Sequence, residues 1–558
     1  MKQRTVLAGA VLGQFRPLSL AALLTASHQA AEALVPVVIG VVIDRAIEDG
    51  STATLVRWLI VLAAVFAVLS YSFRFGARFG ERAAEQAAHE ARLALTRRVL
   101  APHAGAEAGR LPGVLADIAT GDAERVGTLN RSLPYGLAAL AGLVVTAVVL
   151  LRISVPLGLL VLLGAPPLLW VAHLLGRPLE RRSGAERERA AHAVGIATDL
   201  IAGLRVLKGL GAERVAVDRY RRTSREALTA TVRAAWAQAW HDGGMLAVNG
   251  LFLVLVALVG GRLAADGRIT VGELVAAVGL AQYLLGPLSM FSWVNGEFAQ
   301  ARASAARIAA VLAAPPAVRG GTGTVPRPVR GALRLRGVTH ADLRGLDLDV
   351  PAGQFLGVVA PDPATATALL DCLGRAVDPA SGVVELDGVA LSTVDIDDAR
   401  AVVLVAAHDA ELFEGRLGDN VAAAAGSPDR VVPALAAAGA DEVAGALPHG
   451  VDTVLTERAR SLSGGQKQRV ALARALATDA PVLVLHDPTT AIDAVTEAAV
   501  ADGLRRMRSG RTTVVVTTSP ALLAVADRVV VLADGAVRAD STHRSLVDDA
   551  DYRAAVLS

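Results

Sequence analysis

The sequence predicts a chain in two parts, an α-helical membrane domain of six spans followed by an α/β domain with a largely parallel sheet. Three observations carry this. Six apolar stretches crowd into the N-terminal half, each near the ~20 residues a helix needs to cross a bilayer. Arginines gather in two of the segments between them. Beyond a Pro/Gly/Thr-rich stretch, "APPAVRGGTGTVPRPVRG", short Val/Leu runs alternate with helical patterns, as in α/β domains.

The stretches run roughly from Leu18 to Ile43, Leu55 to Tyr71, Leu133 to Leu151, Val155 to Leu175, Met245 to Leu263 and Val271 to Phe291. None alternates with period two, which excludes barrel strands. Six of them are too many for the buried helices of a soluble domain. Hydrophobic residues make up 53% of the chain and mean hydropathy is +0.47. No cleavable signal peptide is evident: the basic start, Lys2 and Arg4, leads into an apolar segment without a clear processing site.

Charge placement sets the orientation. The segment after the second stretch carries arginines from Arg74 to Arg131, and the segment after the fourth carries them from Arg177 to Arg233. The loop from Glu48 to Thr54 has no positive charge, the link after the third stretch has only Arg152, and the fifth link has Arg262 and Arg268. The positive-inside rule then places both termini and both basic segments in the cytoplasm. Stretches such as "ARLALTRRVL" keep helical spacing among their charges, so the spans are expected to continue as helices beyond the membrane.

Net charge is +2, which gives no reason to expect a nucleic-acid partner. Cys372 is the only cysteine, so no internal disulfide exists. The α/β runs are "ALRLRGV", "QFLGVVA", "AVVLVAA", "PVLVLHD", "TTVVVTT" and "RVVVLAD". In the second, an apolar strand leads through "APDPATA" into a helical pattern, the context of a phosphate-binding loop. Its glycines and lysine are missing, and no Gly-Lys-Ser or Gly-Lys-Thr occurs anywhere in the chain.

Further on, "LSGGQKQRVALARAL" resembles the signature motif of ABC-type ATPases. "PVLVLHDPTTAID" is similar to their Walker B strand and D-loop, "LFEGRLGDNV" to the stretch after the Q-loop, and "TVLTERA" to the segment before the signature. "VDPASGVVELDGV" resembles the hairpin after the phosphate-loop helix. The resemblance covers Leu333 to about Gly535. In the first half, "LPGVLADIATGDAERV" and "GLRVLKGLGAERV" resemble intracellular loop segments of six-span ABC exporters. It implies a transmembrane domain at 1–313, a linker at 314–330 and a P-loop-type ABC nucleotide-binding domain at 331–558. Such a half-transporter works as a dimer, uses ATP and Mg, and sits in a bacterial-type inner membrane with its ATPase domain in the cytoplasm. The resemblance also implies that coupling segments near Ala116 to Arg125 and Leu204 to Gly211 seat on the ATPase domains.

ABC ATPases hold each ATP between the phosphate loop of one subunit and the signature of the other. Aligned on that pattern, Ala360 stands at the first glycine, Pro363 at another, Thr365 at the last, and Ala366 at the lysine. Thr367 keeps the hydroxyl that would face Mg. Proline has no N–H to donate. Each lost charge-assisted contact costs about 1.5–3 kcal/mol, on the order of 100-fold or more in affinity for the lysine and one amide together, so weak or no ATP binding is expected here. His486 replaces the Mg-organising aspartate, and Asp487 stands for the catalytic glutamate, one methylene shorter. His408 replaces the Q-loop glutamine and Thr518 the switch histidine. Near the expected adenine-stacking aromatic, the nearest ring is His340.

The signature is intact. Ser463, Gly464 and Gly465 can donate to a terminal phosphate at a helix start, Gln466 completes the motif, and Asp493 resembles the D-loop aspartate that crosses the dimer interface. The chain has kept what it lends and lost what it would use. The expectation is a heterodimer whose partner, a second half-transporter, carries intact Walker A and B motifs. In the spans, His28, Glu32, Asn249 and Gln282 are candidates for a cavity holding a small-molecule or peptide substrate. A siderophore-type importer on the same fold and a non-transporting pseudo-ATPase scaffold are the alternatives. Accumulation in vesicles would mark the first, and a homodimer without ATPase activity the second.

Overall fold

The computed structural model describes residues 3–49, 51–103, 105–408, 411–456 and 459–557. The chain forms two compact units, Met1–Thr96 with Leu111–Ala313, and Arg97–Arg110 with Ala314–Ser558.

The first unit is helical. A short α1 (Gln3–Leu12) precedes α2 (Phe15–Asp49), α3 (Thr52–Val99), α4 (Pro112–Asp117), α5 (Ala123–Ile153), α6 (Val155–Ala202), α7 (Leu204–Leu210), α8 (Glu213–Ala265), α9 (Val271–Tyr283) and α10 (Leu285–Leu312). Among the described residues, six stretches are long and apolar enough to cross a membrane: Phe15–Arg45, Thr52–Val99, Pro112–Ile153, Val155–Ala202, Glu213–Ala265 and Val271–Leu312. The 53 residues of α8 extend about 80 Å at 1.5 Å per residue, far more than a ~30 Å hydrocarbon core. Its Arg-rich half therefore lies outside the bilayer, as expected from the sequence.

Small residues bring the helices together, the usual device where lipid removes the hydrophobic drive for association. A Cβ on Gly272 of α9 would lie 2.0 Å from the Gly40 carbonyl oxygen of α2, and one on Gly127 of α5 would lie 2.4 Å from that of Ala84 on α3. The most apolar part of α3 is unburied, and Leu59, Ile60 and Val68 there present the apolar surface that lipid requires.

A π-helical turn, Ile118–Asp122, joins α4 to α5. Asp122 is fully buried. Its carboxylate accepts from Ser304 Oγ (2.9 Å), Arg307 Nε (2.6 Å) and Arg125 Nη1 (3.1 Å). Through that carboxylate the segment from Ala116 to Arg125 packs against α10: a buried carboxylate needs cations, and α10 supplies one. The piece that joins the ATPase unit is 97–110. There Arg98 donates to the Ala314 carbonyl (2.8 Å), the Ala317 amide to that of His103 (3.0 Å), and Arg400 to that of Pro102 (2.7 Å). The other expected coupling segment forms α7, with Leu204, Val206 and Leu210 exposed.

In the second unit, strands β1 (Leu333–His340), β2 (Leu343–Val350), β4 (Ser381–Leu386) and β5 (Val389–Ala390) make an antiparallel sheet ordered β2-β1-β4-β5. Asp387 and Gly388 both have positive φ between β4 and β5, the requirement of the tightest hairpin turn. The main sheet contains β3 (Phe355–Val359), β6 (Val403–Ala406), β9 (Val482–His486), β10 (Thr512–Val516), β11 (Arg528–Ala533) and β12 (Ala536–Ser541), in the order β12-β11-β3-β10-β9-β6. A separate two-stranded pair joins β7 (Gly415–Arg416) to β8 (Val454–Leu455). All pairings in the main sheet are parallel except β11 with β12. Every residue of β3 and β10 is buried, which is why β3 and Val514–Val516 of β10 read as apolar runs, while the Thr512 and Thr513 hydroxyls donate to the Gly331 and Arg511 carbonyls. Helix α11 (Pro363–Leu373) packs between the two sheets through Leu369 and Leu373. Helices α13 (Leu417–Ala422), α14 (Val431–Ala437), α15 (Ala440–Gly445) and α16 (Gly464–Ala477) form a second apolar core.

Residues 314–330 lie along this unit. The Arg319 amide donates to Asp378 Oδ2 (2.9 Å), the buried Arg375 donates to the Arg319 carbonyl (2.6 Å), and Gly323 bridges to Val394.

Candidate nucleotide site

β3, β10 and β9 are neighbours, so their C-terminal ends bring three segments side by side: the loop before α11, Thr517 and Thr518, and His486 with Asp487. Ligands of open α/β sheets bind at such ends.

The loop is short because α11 starts early. Residues 363–366, which a phosphate loop holds as loop, are the first helical turn. Asp362 is its N-cap. The carboxylate accepts from the amides of Ala364 and Thr365, both at 3.2 Å, and from the Thr365 hydroxyl at 2.9 Å. The Ala366 amide donates to the Asp362 carbonyl, and Pro363 has no amide hydrogen. A helix start offers a phosphate its unpaired amides, and here the first four positions leave none. The bonds from the Thr365 hydroxyl and the Ala364 amide hold the Asp362 carboxyl below its usual range, so it is an anion at neutral pH. Ala366, at the lysine position, is buried in the core. The Thr367 hydroxyl donates to the Pro363 carbonyl (2.9 Å). These residues do not fit a triphosphate, and among the described residues no group of three or more His, Cys, Asp or Glu is arranged to hold a metal ion.

His486, Asp487 and His408 come together as the sequence pattern requires. His486 Nε2 lies 3.8 Å from Asp487 Oδ2, the two imidazole rings are 5.8 Å apart, and His408 Nδ1 is 3.3 Å from the Asp487 carbonyl. Asp487 has φ of +42°, a left-handed conformation that aspartate tolerates better than most residues. Its Oδ1 is buried without a hydrogen-bond partner among the described residues. Cavities of about 350 and 400 Å3 flank His486, one beside Lys467 and Gln468, the other beside Thr367 and Arg400. Thr518 is exposed just beyond β10. His340 ends β1.

The signature is built the opposite way. Ser463 caps α16 in a reciprocal box: its Oγ accepts from the Gln466 amide (3.3 Å) and Gln466 Oε1 accepts from the Ser463 amide (2.9 Å). The amides of Gly464 and Gly465, first in the helix, have no partner among the described residues. Gly465 is glycine because a Cβ would lie 2.4 Å from the Ala491 carbonyl oxygen. Gln468 then ties the helix to the D-loop, donating to Thr490 Oγ1 (2.8 Å) and accepting from the Ala491 amide (2.9 Å). Sequence reasoning passed over Gln468, although it lies one turn beyond Gly464 on the face toward that loop. Asp493 caps α17 (Ala494–Met507), accepting from the amides of Val495 and Thr496. In "TVLTERA", Glu457 and Arg458 lie outside the described residues.

A family model described as "ABC transporter transmembrane region" matches residues 18–288, and one described as "ABC transporter" matches 343–490. An "ATP-dependent lipid A-core flippase" of Burkholderia pseudomallei is 30% identical over 406 residues, 70% of this chain and 67% of that protein. The chain belongs to the ABC transporter family. It joins an exporter-type membrane domain to an ABC ATPase domain, and it is an integral membrane protein. A "Multidrug efflux ATP-binding/permease protein" of Mycobacterium bovis is 32% identical over 425 residues, 75% of this chain, and the match spans 36% of that longer protein. The fold of this ABC transporter chain matches "a bacterial Atm1-family ABC exporter with ATP bound", with a TM-score of 0.76, 21% identity and 96% of each chain covered.

In the spans of this transporter, the candidate cavity residues have different surroundings. His28 Nδ1 lies 2.9 Å from the Leu69 carbonyl, its ring is 5.0 Å from Phe73, and its Nε2 is 3.8 Å from Glu32. No hydrogen bond or ion pair links Asn249 or Gln282 to that pair among the described residues. Asn249 Oδ1 is buried without a hydrogen-bond partner among the described residues, and Gln282 is exposed.

Proposed function

We propose that this chain is one subunit of a heterodimeric, ATP-driven exporter, silent at its own phosphate loop and active through its signature. The observation that carries the reading is the contrast between two helix starts. At α11 every leading amide is engaged or absent, whereas at α16 the amides of Gly464 and Gly465 and the Ser463 hydroxyl hydrogen remain for a phosphate. Two copies of this chain would pair two signatures with two loops that cannot hold nucleotide. A partner with an intact phosphate loop, a magnesium-organising aspartate and a catalytic glutamate would supply the rest.

In that complex Ser463, Gly464, Gly465 and Gln466 would close over the terminal phosphate held by the partner. Gln468 would carry the position of α16 to the D-loop through Thr490 and Ala491. Closure would be passed to the spans through segments that include 97–110. The arginines between Arg74 and Arg131 and between Arg177 and Arg233 support a cytoplasmic ATPase domain in an inner membrane.

The test is to purify the chain alone and with a neighbouring half-transporter subunit. The complex is expected to hydrolyse MgATP and to trap one nucleotide per heterodimer with vanadate. The chain alone should do neither. Hydrolysis by the chain alone at the rate of the complex would sink the reading.

A further inference from the structure

We propose that Asp362 is the residue that decides against nucleotide at this chain's own loop: its carboxylate takes the place of a phosphate and winds residues 363–366 into helix. The inference rests on the reading that this half-site is silent, and it names what silences it. Loss of the lysine is the obvious cause from sequence, but the geometry puts it second. A phosphate at the start of α11 would need the amides of Ala364 and Thr365, and both already serve Asp362, as does the Thr365 hydroxyl. The carboxylate would also stand against the incoming anion as a like charge. Pro363 at the first helical position presets the helical φ and adds no donor.

Position 366 is the independent observation. Ala366 is 3% exposed and belongs to the apolar core that includes Val358, Leu369 and Leu373. While the turn is helical, a lysine there would enter that core rather than reach a loop mouth, and a buried unpaired ammonium is strongly disfavoured. The cap and the lost lysine are thus one conformational state, held from Asp362. Restoring the lysine alone restores nothing. Unwinding the turn has to come first.

The experiment uses the full chain, purified alone, with MgATP as the probe in equilibrium dialysis. Wild type and Ala366→Lys are expected to bind no more than background, with Ala366→Lys melting earlier. A fourfold variant, Asp362→Ser, Pro363→Gly, Thr365→Gly and Ala366→Lys, is expected to bind at least about tenfold more tightly than either. Ala366→Lys binding as well as the fourfold variant would overturn the proposal. Wild-type binding at micromolar MgATP would instead overturn the silent-site reading itself. A second measurement needs no nucleotide. In Asp362→Ala alone, amide exchange over 364–367 should speed at least about tenfold as the cap is lost, and unchanged exchange would show that Asp362 does not hold the turn.

Discussion

Ser463→Ala tests the signature most directly. Ser463 Oγ accepts from the Gln466 amide, which leaves its own hydrogen free to donate. Replacing it with alanine removes one of three donors offered at the start of α16. A hydrogen bond to a charged group is worth about 1.5–3 kcal/mol, so kcat/KM of the complex should fall roughly 10- to 150-fold. Loss of the cap costs about 1 kcal/mol of stability. The helix should survive that, because buried Val470, Leu472 and Leu476 anchor it. Gly464→Asp is the stronger variant. A Cβ there has room, with Ala491 Cβ nearest at 3.6 Å, so the fold tolerates the carboxylate that repels the phosphate. The expected loss is roughly 10²–10³-fold. Gly465 is the wrong position for this purpose, because any side chain collides with the Ala491 carbonyl and disturbs the D-loop. The assay is steady-state MgATP hydrolysis by the purified complex, with assembly checked by size-exclusion chromatography. If both variants assemble normally and stay within about twofold of wild type, the signature is not used and the reasoning fails.

Asp122→Ala should destabilise the membrane unit by about 2–3 kcal/mol, below the 3–5 kcal/mol of a fully buried pair. Arg125 and Arg307 are about half exposed and can turn to water, while Ser304 is left buried. A lower thermal midpoint in lipid nanodiscs checks this, and an unchanged one would contradict it. The bond from Arg505 holds the Asp527 carboxyl below its usual range, and Arg528 does the same for Asp540. A depressed folded value gives stability that is present above the unfolded value of about 3.9 and lost as pH falls through the folded one. The melting midpoint should therefore drop below about pH 4, less steeply in Asp527→Asn and Asp540→Asn. Burial pushes the Cys372 thiol up to about 11, with Asp371 and Asp378 adding to it. Iodoacetamide at about pH 8 should thus leave it unmodified until the protein is unfolded, and rapid labelling of the native chain would refute its burial.

The spans, the parallel sheet and the signature were legible because each writes itself in side-chain type: apolar length, unbroken Val/Leu runs, and a Ser-Gly-Gly-Gln helix start. What was missed lies elsewhere. The packing of 97–110 with the ATPase unit runs through carbonyls of Pro102 and His103, and carbonyls have no sequence signature. Besides the local Arg125, Asp122 is held by Ser304 and Arg307 of α10, far along the chain, and no local pattern pairs it with those two. Asp362 was readable. An Asp followed by Pro is a helix cap with proline at the first helical position, but alignment to a phosphate loop drew attention to the absent glycines and lysine. Gln468 was likewise overshadowed by the motif beside it.

The division of the chain has a consequence for how such proteins can be cut and recombined. The ATPase unit is not a contiguous stretch of gene. It takes Arg97–Arg110 from between two spans and Ala314–Ser558 from the end. A fragment beginning at Ala314 would leave Arg400 without the Pro102 carbonyl and Ala317 without that of His103. Joining the ATPase half of one transporter to the membrane half of another at residue 314 would graft a domain missing one of its own pieces. A viable exchange has to carry the 97–110 segment along, so the natural cassette here is two inserts rather than one.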